Sequence, residues 1–303
     1  MSAASTSAPR PHKTALLMLA LDERDPSVVD ALVAAHTRLG VHNVLVVHVA
    51  AQEHLPEELS AGLSPGQVQR PPALDAAVED LRARLGPHVR VRGEFGVGDP
   101  VEVLEELIQG HDVDLLVLGR DGRVEGAGAA WGPSGRKLMR AVSCSVLVVP
   151  EGARFDGKRA VVGLDFSSCS TMALQAAVEV ADQVEAVYQY NLTAAGSGAI
   201  TEAEFEQQLA DNARRHFEVV VLPDLPTERH PTLSLHAGTS ASAVLLSRAG
   251  DDLLVVGSRG LSRIATVLLG STAEQLAGLA VGPVLVIRRK GEVLGLVEGL
   301  FHR

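Results

Sequence analysis

Short apolar runs recur along the chain, each followed by a stretch with helical periodicity. Strands are predicted near 14–21, 43–49, 88–95, 113–118 and 145–149, and again near 159–164, 185–191, 232–236, 252–256 and 283–288. The first, fourth and fifth runs of each set are nearly continuous leucine, valine and isoleucine, as in "LLVLG" and "LLVVG". Apolar runs without alternation suit strands covered on both faces, as in parallel sheets. Intervening helices of roughly 12–18 residues make βαβ units and a doubly wound, Rossmann-like α/β fold. Helix 201–217 is predicted to open on a capping box, Thr201 with Glu204.

The two sets are copies of one pattern. In "VDLLVLGRDGRVEGAGAAWGPSGRKLMRAVSCSVLVVP" (113–150) and "DDLLVVGSRGLSRIATVLLGSTAEQLAGLAVGPVLVIR" (251–288), Gly119, Gly122 and Gly132 recur as Gly257, Gly260 and Gly270. The separation is 138 each time (257 less 119, 260 less 122, 270 less 132). The starts of the copies align as strands ending in Asp22 and Asp165, and Gly98 matches Gly238. A repeat of this length predicts two tandem five-stranded domains. Their expected limits are a tail 1–12, a first domain 13–150, a polar linker 151–158, a second domain 159–290 and an extension 291–303. Residues 50–75 and 192–200 read as loops.

Composition narrows the function classes. Hydrophobic residues are 46% and charged residues 21% of 303, which suits a packed core. The net charge of -10 gives no general attraction to nucleic acid or anionic membranes. The first twelve residues lack the apolar segment of a secretory signal, and no apolar run nears the roughly 20 residues of a membrane span. Only two cysteines, Cys144 and Cys169, occur, with no CxxC pair, so a reducing cytoplasm is expected.

The candidate chemistry lies at the glycines. In an open α/β sheet, ligands bind beyond the carboxyl ends of the strands where the strand order reverses. Asp165 and Gly257 would share that crevice if their strands are neighbours. Gly257 and Gly260 would permit positive φ and close approach of a ligand. Gly270-Ser271-Thr272 would open a helix whose free N–H groups favour phosphate. Ser258, Arg259 and Arg263 lie in the same loop, and the arginines suit phosphate pairing. The same residues also suit plain turn and cap chemistry.

The Gly-x2-Gly-x9-Gly-Ser/Thr pattern after a fourth strand, the "PVLVI" fifth strand, the "LDFSS" turn and the "LVVHV" second strand resemble the universal stress protein family, in two tandem copies. That resemblance implies a sheet of order 3-2-1-4-5, pairing of modules through fifth strands and ATP binding where the motif is complete. It places Asp165 and Asn191 near adenine and ribose, and Gly257, Gly260, Gly270, Ser271 and Thr272 at ribose and phosphates. In the first copy Asp22, Val49, Gly119, Gly122, Gly132 and Ser134 match, but Pro133 replaces the Ser or Thr and brings no N–H. Glu125 adds a negative charge to that loop. The expectation is a cytoplasmic, nucleotide-dependent stress-response regulator that takes ATP, with or without Mg, in the second domain. A homodimer through sheet edges or fifth strands and a regulatory protein partner go with it. The alternatives are an interaction module without nucleotide and a slow ATPase or nucleotidyl transferase. No P-loop, H-E-x-x-H or G-x-S-x-G motif is present, and no metal site or catalytic residue is expected.

Overall fold

The computed structural model describes residues 13–21, 26–50, 70–120, 133–192, 201–258 and 269–288. The first half runs β1 (Lys13–Met18), α1 (Ser27–Leu39), β2 (Val41–Ala50), α2 (Pro72–Leu85), β3 (Arg90–Val97), α3 (Pro100–Gly110), β4 (Leu115–Arg120), α4 (Pro133–Ala141) and β5 (Ser145–Pro150). The second runs β6 (Arg159–Leu164), α5 (Ser168–Val180), β7 (Gln183–Tyr190), α6 (Glu202–His216), β8 (Thr232–Ala237), α7 (Ala241–Ala249), β9 (Leu253–Gly257), α8 (Ser271–Leu279) and β10 (Val284–Ile287). Each predicted strand is present. The predicted capping box opens α6: Thr201 Oγ1 accepts the Glu204 N–H, and the Glu204 carboxylate accepts the Thr201 N–H.

All ten strands form one sheet, ordered β3-β2-β1-β4-β5-β10-β9-β6-β7-β8. Each half has the expected order 3-2-1-4-5, and every pairing within a half is parallel. The halves join where β5 and β10 pair antiparallel, with Leu147 opposite Leu285, Val146 opposite Val286 and Val148 opposite Val284. Leu147 and Leu285 are equivalent in the repeat (285 less 147 is 138), so the join has a pseudo-two-fold axis through this pair. The module pairing through fifth strands is therefore internal to the chain. That corrects the expectation of a dimer through fifth strands, because β5 and β10 each have a neighbour on both sides, and the sheet ends are β3 and β8.

Helices cover both faces of the sheet, and each face has its own apolar layer drawn from both halves. One joins Leu17, Leu32, Leu74 and Leu147 with Leu174, Phe217 and Leu285. The other joins Leu16, Leu104 and Met139 with Leu254, Leu276 and Val286. The segment between the halves is held at several points. Phe155 is buried in the first layer, the Gly152 N–H donates to Ser27 Oγ at 3.0 Å, and Gly157 O accepts the Asp182 N–H at 2.9 Å. Arg38, near the end of α1, pairs with Asp182 at 2.8 Å beyond α5, binding the two first helices together. Among the described residues no helix is long and apolar enough to cross a membrane.

Candidate functional site

In the second half, β6 and β9 are hydrogen-bonded neighbours, and strand order reverses between them. Asp165 directly follows β6 and Gly257 closes β9, so both lie at the carboxyl edge of the switch point. Asp165 Oδ1 accepts the Ser167 N–H at 3.0 Å, shaping the turn into α5, and Ser167 Oγ caps α5 on the Ser170 N–H at 3.2 Å. Phe166 sits at a φ of 61°, the left-handed conformation a tight strand-to-helix turn demands.

The far side of the site is the start of α8. Gly270 is its N-cap, in extended conformation and with no side-chain cap. The Gly270 N–H donates to Ser258 O at 2.7 Å, and the first closed turn is the Glu274 N–H on Gly270 O at 3.0 Å. Helix geometry therefore leaves the Ser271, Thr272 and Ala273 N–H groups without intrahelical acceptors, at the positive end of the helix. Buried Ser258 is itself fixed by its N–H on Ile287 O at 2.9 Å. The 258-to-270 bond pins both ends of the intervening loop. Arg259, Gly260 and Arg263 belong to that loop and lie outside the described residues.

Gly257 has a reason other than the expected positive φ. It is a strand residue, absent from the positive-φ positions, and a Cβ there would sit 2.8 Å from the Cys169 carbonyl carbon. The glycine lets the first turn of α5 close against β9. Gly119 does the same in the first half, where a Cβ would meet Val28 of α1 at 2.9 Å. Cys169 is thus a packing residue at its main chain. Buried Cys144 has its thiol pushed up to about 11 by desolvation, which keeps it protonated.

The strand register corrects two of the matches between halves. Leu115 lies opposite Ala15, and its repeat partner Leu253 lies opposite Ala160, so Ala15 and Ala160 are equivalents 145 apart (160 less 15). Carried along the strand, that separation puts Ala20, not Asp22, at the position of Asp165 (165 less 20). Asp22 lies outside the described residues, as do Gly122 and Gly132. In the second strands Val44 corresponds to Val184, so Val49 is matched by Gln189 rather than Asn191. Gln189 donates its amide N–H to Tyr190 O at 2.9 Å and to Gly238 O, tying the ends of β7 and β8. Asn191 follows β7 directly. Ser134 lies in the first turn of α4, which starts at Pro133 in register with Ser271 (271 less 133 is 138).

Composition hid one feature beside Asp165. Phe166 packs on Tyr188 at 5.0 Å and edge-on to His216 at 4.7 Å, and Tyr188 lies 6.3 Å from Tyr190. Both tyrosines of the chain are in this cluster, and Tyr190 donates its hydroxyl to Glu206 at 2.9 Å. Period-two spacing on β7 was the available signal for the tyrosine pair; the contacts of Phe166 and His216 need the fold.

The sequence profile of the universal stress protein family matches residues 17–150 and again 157–288. A universal stress protein of Mycobacterium tuberculosis is 26% identical over 216 residues, which cover 66% of this chain and 69% of that one. The crystal structure of a universal stress protein from Archaeoglobus fulgidus superposes with a TM-score of 0.61 at 18% identity, covering 92% of this chain and 97% of that chain. A putative universal stress protein from Pseudomonas aeruginosa gives 0.66 at 15% identity, covering 95% and 97%. With both halves matched and the ten-stranded fold shared, the chain belongs to the universal stress protein family, with two family domains in tandem.

Proposed function

We propose that the second half binds ATP and that the chain acts as a nucleotide-dependent regulator in the stress response, through a protein partner. The supporting observation is the convergence at one switch point: Asp165 beside β6, Gly257 and Ser258 at the end of β9, and a glycine-capped α8 held to Ser258 at 2.7 Å. The free amides of Ser271 and Thr272 suit phosphate oxygens, and Asp165 suits a ribose or base donor. Arg259 and Arg263 would add charge from the loop, and Asn191 a polar contact from the end of β7. No acid cluster able to hold a metal is present among the described residues, so any Mg would arrive with the nucleotide phosphates.

Binding specific to the folded state raises stability by mass action, roughly 2.7 kcal/mol at a hundredfold excess over Kd. A thermal shift with Mg-ATP, and its loss in Gly270→Val, is the expected outcome. Wild-type protein that neither shifts nor shows heat of binding would overturn the reading. The first half favours a second role, that of support. It has Pro133 in place of Ser271, losing an N–H donor. One ATP per chain by calorimetry is therefore expected.

A further inference from the structure

Two buried arginines play no part in the proposed site. Arg120 ends β4 and is 6% exposed, and Arg288 directly follows β10 and is 8% exposed. Each crosses the join to the opposite half. Arg120 donates to the carbonyls of Gly278 and Ala280 at the C-terminal end of α8, and Arg288 donates to those of Met139 and Val142 at the C-terminal end of α4. The repeat does not relate them, since the counterpart of Arg120 is Ser258 (258 less 120 is 138) and that of Arg288 is Pro150 (288 less 150 is 138). The C-terminal ends of two equivalent helices are thus capped by non-equivalent residues. Each cap supplies donors to carbonyls left over at a helix end and a positive charge at its negative pole.

The antiparallel join gives Arg120 a link to the candidate site. Because β10 runs against β5, the C-terminal end of α8 lies over the carboxyl end of β4, while its N-terminal end opens the site of the second half. Nine residues at about 1.5 Å each make α8 a rod of roughly 13 Å between the halves. A helix this short is marginal by itself, and its first turn is held by the Gly270–Ser258 bond, by Glu274 on Arg136 and Arg140 of α4, and by its packing. We propose that Arg120 is a positioning residue for the second half's nucleotide site: by clamping the far end of α8, the first half sets where the Ser271 and Thr272 amides point. This rests on the ATP reading above and assigns the first half a role in binding that does not require nucleotide of its own.

The test measures ATP affinity by calorimetry on the full chain, alongside thermal unfolding without ligand. Arg120→Met is expected to weaken ATP about five- to tenfold, within the range by which substitutions in a contiguous packed network shift the coupling between two sites. Arg120→Lys, which keeps the charge and some donors, should fall between. Arg288→Met acts on α4, which reaches α8 only through Arg136 and Arg140 on Glu274 among the described ion pairs, and should cost clearly less affinity than Arg120→Met, even where it lowers the unfolding temperature. Wild-type affinity in Arg120→Met, or equal losses in Arg120→Met and Arg288→Met, would overturn the assignment and reduce Arg120 to a structural cap. If Arg120→Met does not fold, Arg120→Lys decides: about a threefold loss supports the proposal and unchanged affinity overturns it. Wild-type protein that binds no ATP would instead bring down the nucleotide reading itself.

Discussion

A methyl group added at Gly257 would lie 2.8 Å from the Cys169 carbonyl carbon and 2.9 Å from its oxygen, both main-chain atoms of a helix turn that cannot swing aside. Gly257→Ala is therefore expected to destabilise the protein by about 2 kcal/mol, the range of overpacked sites. At Gly119 the obstacle is the Val28 Cγ2 methyl at 2.9 Å, the end of a side chain, so Gly119→Ala should cost visibly less. Urea unfolding of the two variants checks the order, and equal costs would refute the packing account. The same pair shows what was legible at this scale. That glycines end these strands, and recur 138 residues apart, is plain in the sequence. The clash they avoid is with a helix residue distant in the chain, which no run of neighbouring residues displays. Asp22 shows the complementary limit. Two aspartates after similar strands invite alignment, but backbone pairing sets equivalence, and it selects Ala20.

At the scale of elements, the amino ends of β6, β7 and β9 are tied to α7 by one ion network. Glu185 on β7 pairs with Arg248 of α7 and Arg159 of β6, each at 2.6 Å, and Arg159 also pairs with Asp252 just before β9. Burial alone would raise the Glu185 carboxyl; hydrogen bonds from Ser234, Arg248 and Arg159 outweigh it and hold the carboxyl below its ordinary 4.5. A carboxyl depressed on folding adds stability that is fully present above 4.5 and lost as pH falls through its lowered value. Glu185→Gln should cost about 1–2 kcal/mol at neutral pH, because two half-exposed arginines lose a buried partner while Arg159 keeps Asp252, and should flatten the acid limb of the stability–pH curve. Denaturant titrations from neutral pH to below 4.5 read both effects, and an unchanged acid limb would refute the assignment. Elements themselves were well read from pattern, since strand runs and the Thr201 box are local. The α6 capping box formed as predicted, whereas α2 starts at Pro72, inside the stretch expected to be loop.

On the scale of the whole molecule, the halves share one sheet and both of its apolar layers. Each apolar layer contains residues of both halves, β5 and β10 are paired in mid-sheet, and Phe155 of the connecting segment is in the core. Unfolding either half would strip the other of its fifth-strand partner. A single calorimetric transition is expected, with calorimetric and van't Hoff enthalpies equal; two resolved transitions would refute it. The opposed charges near the axis fit this internal pairing. Arg136 and Glu274 are repeat equivalents (274 less 136 is 138), and they face each other at 3.5 Å, with Arg140 on Glu274 at 2.8 Å. Pairing like halves would set like charges together at that point, which disfavours the alternative assembly.

The sequence by itself determined the repeat, the ten strands, their parallel and doubly covered character, and the glycine-capped helix start, because each is written in neighbouring residues and in two copies. Only the tertiary structure decided that the fifth strands join within one chain, that Ala20 is the first half's equivalent of Asp165, and that Arg120 reaches the helix of the other half. Those outcomes depend on hydrogen-bond register and on the direction in which strands meet, and neither is encoded in the periodicity of a single strand.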